Sequence, residues 1–237
     1  MRRVDGGRVT IAGLERLRTN LAEIESRIAE ARERAGLDRR PRLLIASKYL
    51  GVEEMSLLDA AGIRLVGENR AEGLEEKWRR WNRSFEFHFI GHLQSRKAKQ
   101  VLPFVTLVHS VESIVLVEEL NKRTETAVKV LLEVNVSGEE SKYGILPAAA
   151  EAFLEQAAAY ERVMFSGLMT MAPLVDDPEA ARPFFRGLRK LRDHLTTAFA
   201  GRYELTELSM GMSNDYEVAV EEGATIVRLG SALFSNV

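Results

Sequence analysis

The chain has 237 residues, and 33 Lys and Arg against 35 Asp and Glu give a formal charge of −2 with its four histidines neutral. So even a balance leaves no broad cationic field for nucleic acid or an anionic membrane surface, and the absence of cysteine excludes disulfides, thiolate metal sites and a cysteine nucleophile. An apolar content of 46% with 29% charged residues is ordinary for a soluble globular chain of this length.

The segment from Met1 to Gly7 is charged and then glycine-rich, without the apolar run of a signal peptide. No stretch reaches the roughly 18 apolar residues of a membrane span, so the expected compartment is the cytoplasm. Leu14, Leu17, Leu21, Ile24 and Ile28 step by three or four residues among charged neighbours, which predicts a long amphipathic helix. Gly36 suits its C-terminal cap, and Pro41 bars its continuation. Short apolar runs then alternate with longer amphipathic segments. The runs at 43–47, 63–67, 85–90, 105–108, 128–134, 163–167, 205–209 and 224–228 predict eight strands. Helices are predicted at 53–61, 112–124, 148–160, 178–199 and 216–222. Parallel strands need such crossovers, because no tight turn can join them. The expected architecture is a closed (β/α)8 TIM barrel with an additional N-terminal helix, forming one domain over 1–237. An open doubly wound sheet is the alternative, but its glycine-rich dinucleotide fingerprint is missing.

In a barrel the chemistry belongs where strands end. The first strand leads into Ser47-Lys48-Tyr49. A lysine held among apolar neighbours loses hydration, and its neutral amine can attack a carbonyl; a lysine capping a strand and reaching outward is the plainer alternative. Gly67-Glu68-Asn69-Arg70 follows the second strand, either as a polar set for a ligand or as a helix start with Arg70 pairing outward. His88 and His92 straddle the third strand and a glycine turn, and no third metal ligand accompanies them. His109-Ser110 and Asn135 add polar groups at the fourth and fifth strand ends, and Met169 belongs to the wall after the sixth. Ser209-Met210-Gly211-Met212-Ser213 and Arg228-Leu229-Gly230-Ser231 follow the last two strands, where barrels commonly bind phosphate on backbone amides.

A lysine on one side and a phosphate cradle on the other suit a phosphorylated carbonyl compound. Pyridoxal 5′-phosphate carries both handles: an aldehyde for Lys48 and a phosphate for Ser209, Gly230 and Ser231. Arg228 is then diagnostic, because a guanidinium facing the pyridine nitrogen cannot accept its proton and leaves the ring a weaker electron sink than a carboxylate would.

The segments IASK (45–48), GENR (67–70), HFIGHLQSRKAK (88–99), HSVE (109–112), EVNVSGEESKYG (133–144), GLMTMAP (167–173), LSMGMSNDYEVAVEEGAT (208–225) and VRLGSALF (227–234) together resemble the pyridoxal-phosphate-binding homeostasis protein family, whose fold is that of the alanine racemase N-terminal barrel. The resemblance implies a Schiff base on Lys48, phosphate contacts from Ser209, Gly230 and Ser231, Arg228 near the pyridine nitrogen, and Asn69 and Met212 near the ring. It also implies a carrier acting in vitamin B6 and amino-acid balance, not an enzyme with robust turnover, which exchanges cofactor with pyridoxal-phosphate-dependent apoenzymes. Arg96 and the ending LFSNV depart from the family pattern and bear on the rim of the mouth or a partner surface.

A weak amino-acid racemase is the competing reading. The chain carries no counterpart of the β-domain that completes alanine racemase and supplies its second base, and a monomer is expected for the same reason. A lysine-dependent aldolase is a third reading, but it leaves Arg228 and the long motif match unexplained.

Overall fold

The computed structural model describes residues 11–48, 50–139 and 142–235. Expectations resting on residues 1–10, Tyr49, Glu140, Ser141, Asn236 and Val237 lie outside these.

Helix α1 (Ile11–Ala35) leads into β1 (Arg42–Ala46), α2 (Met55–Ala60), β2 (Leu65–Glu68), α3 (Leu74–Trp81), β3 (Glu86–Phe89) and α4 (Ala98–Val101). The chain continues through β4 (Leu107–Val111), α5 (Ile114–Arg123), β5 (Val128–Glu133), α6 (Ala150–Ala157) and β6 (Val163–Met169). It finishes with α7 (Arg182–Ala198), β7 (Glu207–Ser209), α8 (Tyr216–Glu221) and β8 (Ile226–Leu229). The strands pair in sequence order and close on themselves as a barrel, β1 running parallel to β8 with Arg42 opposite Ile226 and Ile45 opposite Leu229. This is the expected (β/α)8 barrel.

Successive side chains of a strand face opposite sides, so each strand contributes to two cores. Ile45, Val66, Val108, Leu132, Leu168 and Val227 pack into the large cluster beneath the helices. Their neighbours Leu44, Leu65, Leu107, Leu131, Met169 and Ile226 form a separate cluster within the barrel. The same parity turns Glu86, His88, His109, Ser209 and Arg228 inward.

The N-terminal helix is not a ninth element outside the ring. Seven helices connect the eight strands, and among the described residues none follows β8. Helix α1 fills that eighth position, packing beside α8 and α2 and burying Leu17, Ile24, Ile28 and Ala31. Asn20 Nδ2 donates to the carbonyls of Leu233 (2.9 Å) and Ser235 (3.0 Å), tying α1 to the turn after β8. Arg34 pairs with Glu217 (3.2 Å) and Glu221 (2.6 Å) on α8. Gly36 closes the helix at φ +64°, as the sequence predicts.

One strand lies elsewhere than expected. β4 runs on to Val111, across a register irregularity against β5, so His109 and Ser110 sit inside the strand and are fully buried instead of standing at its end. Among the described residues no helix is long and apolar enough to cross a membrane, and no cluster of three or more metal-ligating side chains occurs.

Candidate functional site

Two cavities open at the two ends of the barrel. The one at the C-terminal strand ends holds about 550 Å³ and is lined by Lys48, Asn69, Glu133, Met212, Ser213, Arg228, Gly230 and Ser231 among others. The other, about 820 Å³, lies at the N-terminal strand ends and is lined by Arg42, Glu86, Lys129, Tyr203 and Glu207 among others. It is larger, yet only the first gathers the lysine, the arginine and the glycine turns, and strand C-terminal ends are where barrels do chemistry.

Lys48 stands just beyond β1 and is exposed at the cavity wall, the plainer of the two placements the sequence allowed and not the one desolvated among apolar neighbours. Its support comes from below. Ser47 is fully buried, and its hydroxyl donates to Glu68 Oε1 (2.6 Å). Lys77 reaches down from α3 to donate to the same oxygen (2.6 Å) and to the Ser47 carbonyl (2.9 Å). The Lys77 and Glu68 side chains are only 9% and 4% exposed, so this ion pair clamps the end of β1 from within the fold. Glu68 thus serves the strand, and Arg70 is not its partner.

Gly91 lets the third strand-end loop lie against the second. A Cβ at this position would come within 2.2 Å of the Asn69 carbonyl oxygen, which no side chain can satisfy. Asn69 is thereby set against the cavity, and its Oδ1 is buried with no hydrogen-bond partner.

Arg228 is 7% exposed, and its side chain reaches from β8 to the end of β7 and the residue after β6. Its Nη1 donates to the Ser209 carbonyl (2.8 Å) and hydroxyl (2.7 Å), and its Nη2 to the Thr170 carbonyl (2.9 Å). Burial lowers its pKa to about 10, opposed by the nearby carboxylates of Glu133 and Asp215, so it remains protonated at neutral pH. Three of a guanidinium's five N–H groups are committed to the protein, which fixes its plane at the cavity floor.

The turns after β7 and β8 interlock. Gly211 takes φ +92°, and the Gly211 carbonyl accepts from the Arg228 amide (3.0 Å). Asp215 Oδ1 accepts from the Met212 amide (2.6 Å). The Ser213 hydroxyl accepts from the amides of Gly230 (3.5 Å) and Ala232 (3.2 Å), so this hydroxyl and the turn after β8 meet at one corner of the cavity. Ser209 does not belong to this corner. It is fully buried on the inward face of β7, where it bonds Arg228 and His109 Nδ1 (2.9 Å). Ser213 is the hydroxyl that reaches the turn.

The wall formed by β4 and β5 is acidic. Burial, and then the neighbouring Glu112, push the Glu133 carboxyl up to about 7, against the pull of Arg228. His92 Nδ1 lies 3.1 Å from Glu112 Oε1, and its ring stacks on Tyr143 at 4.2 Å between centroids. Glu112 also accepts from the Gly144 amide, anchoring the loop after β5. Asn135 organises that loop by accepting from the Gly138 amide (3.0 Å) and donating to the Glu139 carbonyl (2.8 Å).

The family model of the alanine racemase N-terminal domain matches residues 19–236. The chain is 41% identical over 221 residues to the pyridoxal phosphate homeostasis protein of Aquifex aeolicus, covering 91% of this chain and 96% of that protein. The chain belongs to the alanine racemase N-terminal domain family, alongside the pyridoxal phosphate homeostasis proteins. A solved structure of this family, PipY of Synechococcus elongatus with PLP bound, superposes with a TM-score of 0.79 at 31% identity, covering 92% of this chain and all of that one. Alanine racemase of Clostridium difficile shares the fold, with a TM-score of 0.72 at 15% identity, but this chain covers only 57% of its length.

Of the sequence-derived residues, the family fold brings Lys48, Asn69, Met212, Arg228, Gly230 and Ser231 to one cavity and leaves Ser209 beneath it. Lys77, Glu112 and Ser213 were not singled out from the sequence. Lys77 lay in the amphipathic stretch of α3, but its position among Leu74, Trp78 and Trp81 marked it as facing inward. Arg96 donates to Gln94 Oε1 (3.1 and 3.0 Å) on an exposed turn and is not part of the cavity lining.

Proposed function

We propose that this chain holds pyridoxal 5′-phosphate in the mouth cavity and acts in the cytoplasm as a monomeric carrier in vitamin B6 homeostasis, exchanging cofactor with apoenzymes and not turning over a substrate. The observation that carries this reading is that Lys48, Arg228 and the Ser213-Gly230-Ser231 corner share one cavity of about 550 Å³. The donor set fits: Lys48 would supply a primary amine for the aldehyde, Ser213 and the turn after β8 would hold the phosphate, the locked Arg228 guanidinium would face the pyridine nitrogen, and the unpartnered Asn69 Oδ1 has a buried acceptor to offer. Ser213 takes the phosphate role first assigned to Ser209.

When bound, the cofactor supplies a carbonyl that condenses with an amine, losing water to form a C=N bond, and that exchanges with other amines by the same chemistry. The protein's own residues bind and orient. Lys48 Nζ provides the amine, with β1 held beneath it by Ser47, Glu68 and Lys77. Arg228 donates and cannot accept, so a ring nitrogen facing it stays unprotonated and the pocket does little to stabilise negative charge built up on the ring. A carrier is suited by such a muted sink.

The test is borohydride reduction of the loaded protein followed by peptide mapping. A pyridoxyl adduct on Lys48, absent from the Lys48→Ala variant together with the yellow absorption, is the expected result; an adduct elsewhere in the wild type refutes it. Carriage is separately refuted if loaded protein delivers cofactor to an apoenzyme no faster than free dissociation allows.

Glu133 favours one second reading, a slow racemase. The sequence offered no base beyond Lys48, but this carboxyl lines the same cavity from β5, the strand opposite β1, and titrates at about 7. Chiral chromatography after incubation with L-alanine decides: D-alanine formation that disappears in Glu133→Gln supports it.

A further inference from the structure

A file of polar side chains runs through the barrel from the mouth toward the cavity at the opposite end. Arg228 Nη1 lies 2.7 Å from Ser209 Oγ, Ser209 Oγ lies 2.9 Å from His109 Nδ1, and His109 Nε2 lies 2.9 Å from His88 Nδ1. His88 Nε2 lies 2.9 Å from Glu86 Oε1, and that carboxylate also accepts from Thr106 Oγ1 (2.8 Å) and pairs with Arg42. Ser209, His109 and His88 are each fully buried.

The two ends determine how every proton between them lies. A guanidinium only donates, and Glu86 is held as a carboxylate that only accepts, its pKa pulled down to about 2 chiefly by its hydrogen bond from His88 against the cost of burial. His88 therefore carries its proton on Nε2 and offers Nδ1 as acceptor. His109 must donate from Nε2 to that nitrogen and offer its own Nδ1. The Ser209 hydroxyl then gives its hydrogen to His109, leaving its lone pair for Arg228. Only one arrangement satisfies all four links with both rings neutral, and burial holds them so by pushing both imidazoles below their ordinary pKa. Reversing any one link sets two N–H groups, or two lone pairs, head to head at about 2.9 Å.

We propose that His109 is a positioning residue for the mouth: acting through Ser209, it holds the Arg228 guanidinium in its donor orientation at the ring site, and its own tautomer is set by His88 and Glu86 at the far end of the barrel. The inference rests on the reading of the mouth as the pyridoxal phosphate site. It extends that reading by making Glu86, which does not line the mouth cavity, part of the cofactor's electrostatic environment.

The test compares His109→Leu, His109→Asn and Glu86→Gln, each loaded with pyridoxal 5′-phosphate, by cofactor affinity, the absorption band of the bound cofactor and the urea midpoint of the unloaded protein. In His109→Leu the Ser209 hydroxyl loses its acceptor and turns toward Arg228. The expected outcome is a displaced band and an affinity weakened roughly tenfold, the scale of one charged hydrogen bond. His109→Asn retains an acceptor near the place of Nδ1 and restores the band. Glu86→Gln, whose amide both donates and accepts, displaces the band in the same direction as His109→Leu. A merely structural His109 gives the opposite pattern, with a lowered urea midpoint but unchanged band and affinity, and overturns the proposal, as does a Glu86→Gln band identical to wild type. Should His109→Leu not fold, Glu86→Gln, which leaves Ser209 and Arg228 unchanged, carries the same two outcomes. Wild-type protein with no Lys48 adduct overturns the underlying reading instead, and that result is read before any variant is made.

Discussion

Replacing Lys77 by Met asks how much of the mouth depends on an ion pair lying beneath it. Lys77 and Glu68 are nearly fully buried, 2.6 Å apart, and share one carboxylate oxygen with the Ser47 hydroxyl. Methionine fills most of the lysine stem, so packing is kept while the ammonium is lost. Glu68 is then a buried carboxylate with one neutral donor, and removing one partner of such a pair costs about 3–5 kcal/mol. At about 2–4 °C per kcal/mol for a chain of this size, the thermal midpoint falls by roughly 6–20 °C. The double variant Lys77→Met/Glu68→Met removes both charges and should recover most of this loss, because a buried pair replaced by apolar groups is often near neutral. A residue of about 1 kcal/mol remains from Ser47, whose hydroxyl and carbonyl each lose one partner but keep the Gly67 carbonyl and the Leu50 amide. Urea denaturation of wild type, both single variants and the double variant gives the coupling directly. The reasoning fails if Lys77→Met costs less than about 1 kcal/mol, or if the two single effects add in the double variant.

Glu133 makes stability fall as pH rises from about 4.5 to about 7. Its folded pKa of about 7 lies above the ordinary 4.5, so the contribution of the protonated carboxyl is complete below pH 4.5 and is lost as pH rises through 7. Glu133→Gln should therefore match wild type at pH 4.5 and exceed it at pH 8.5 by on the order of 3 kcal/mol; urea midpoints offset equally at both pH values contradict this. Leu17→Ala empties a fully buried position of α1 and should cost about 2–5 kcal/mol, whereas a helix lying loosely outside the barrel would lose far less in the same denaturation curves. Gly91→Ala forces apart the Gly91 and Asn69 backbones and should cost about 1–3 kcal/mol and weaken pyridoxal phosphate binding together, measured by urea midpoint and by titration of the unloaded protein; an unchanged affinity separates Asn69 from the site.

The barrel was legible because parallel strands are buried on both faces and read as short apolar runs between amphipathic helices. Lys48, Arg228 and Gly230 were legible for a related reason: each sits where such a run stops. What the runs conceal is which side a residue faces once the strand is a residue or two longer or shorter. Ser209 was placed at the phosphate corner because it ends the seventh run, but it is the last residue of β7 and its parity turns it inward to Arg228. The corner needed the next hydroxyl in the loop, at Ser213, whose bond to the Ala232 amide links residues 19 apart. The role of α1 was hidden for a different reason. Its apolar stripe announced that it needed a surface, but the surface exists only because no helix follows β8 among the described residues, and that slot is a property of the closed ring.

The file of polar groups through the barrel is the instructive case, since its sequence signal was present. Phe85-Glu86-Phe87-His88-Phe89 alternates strictly, which in an open antiparallel sheet means one face toward water. A strand in a closed parallel barrel has no such face, because helices cover its outside and neighbouring strands' side chains fill its inside. Alternation combined with closure turns Glu86 and His88 inward together, Glu86 half-buried at the N-terminal cavity and His88 fully buried, so a partner for His88 must arrive from another strand, as a buried polar group without one costs about 1–3 kcal/mol. The partners had to be inward residues of strands that also break the apolar pattern with a polar side chain, and His109, Ser209 and Arg228 are such residues. The closure of the fold, more than any local motif, turns these scattered polar positions into one connected set and ties the geometry of the mouth to a carboxylate at the other end of the barrel.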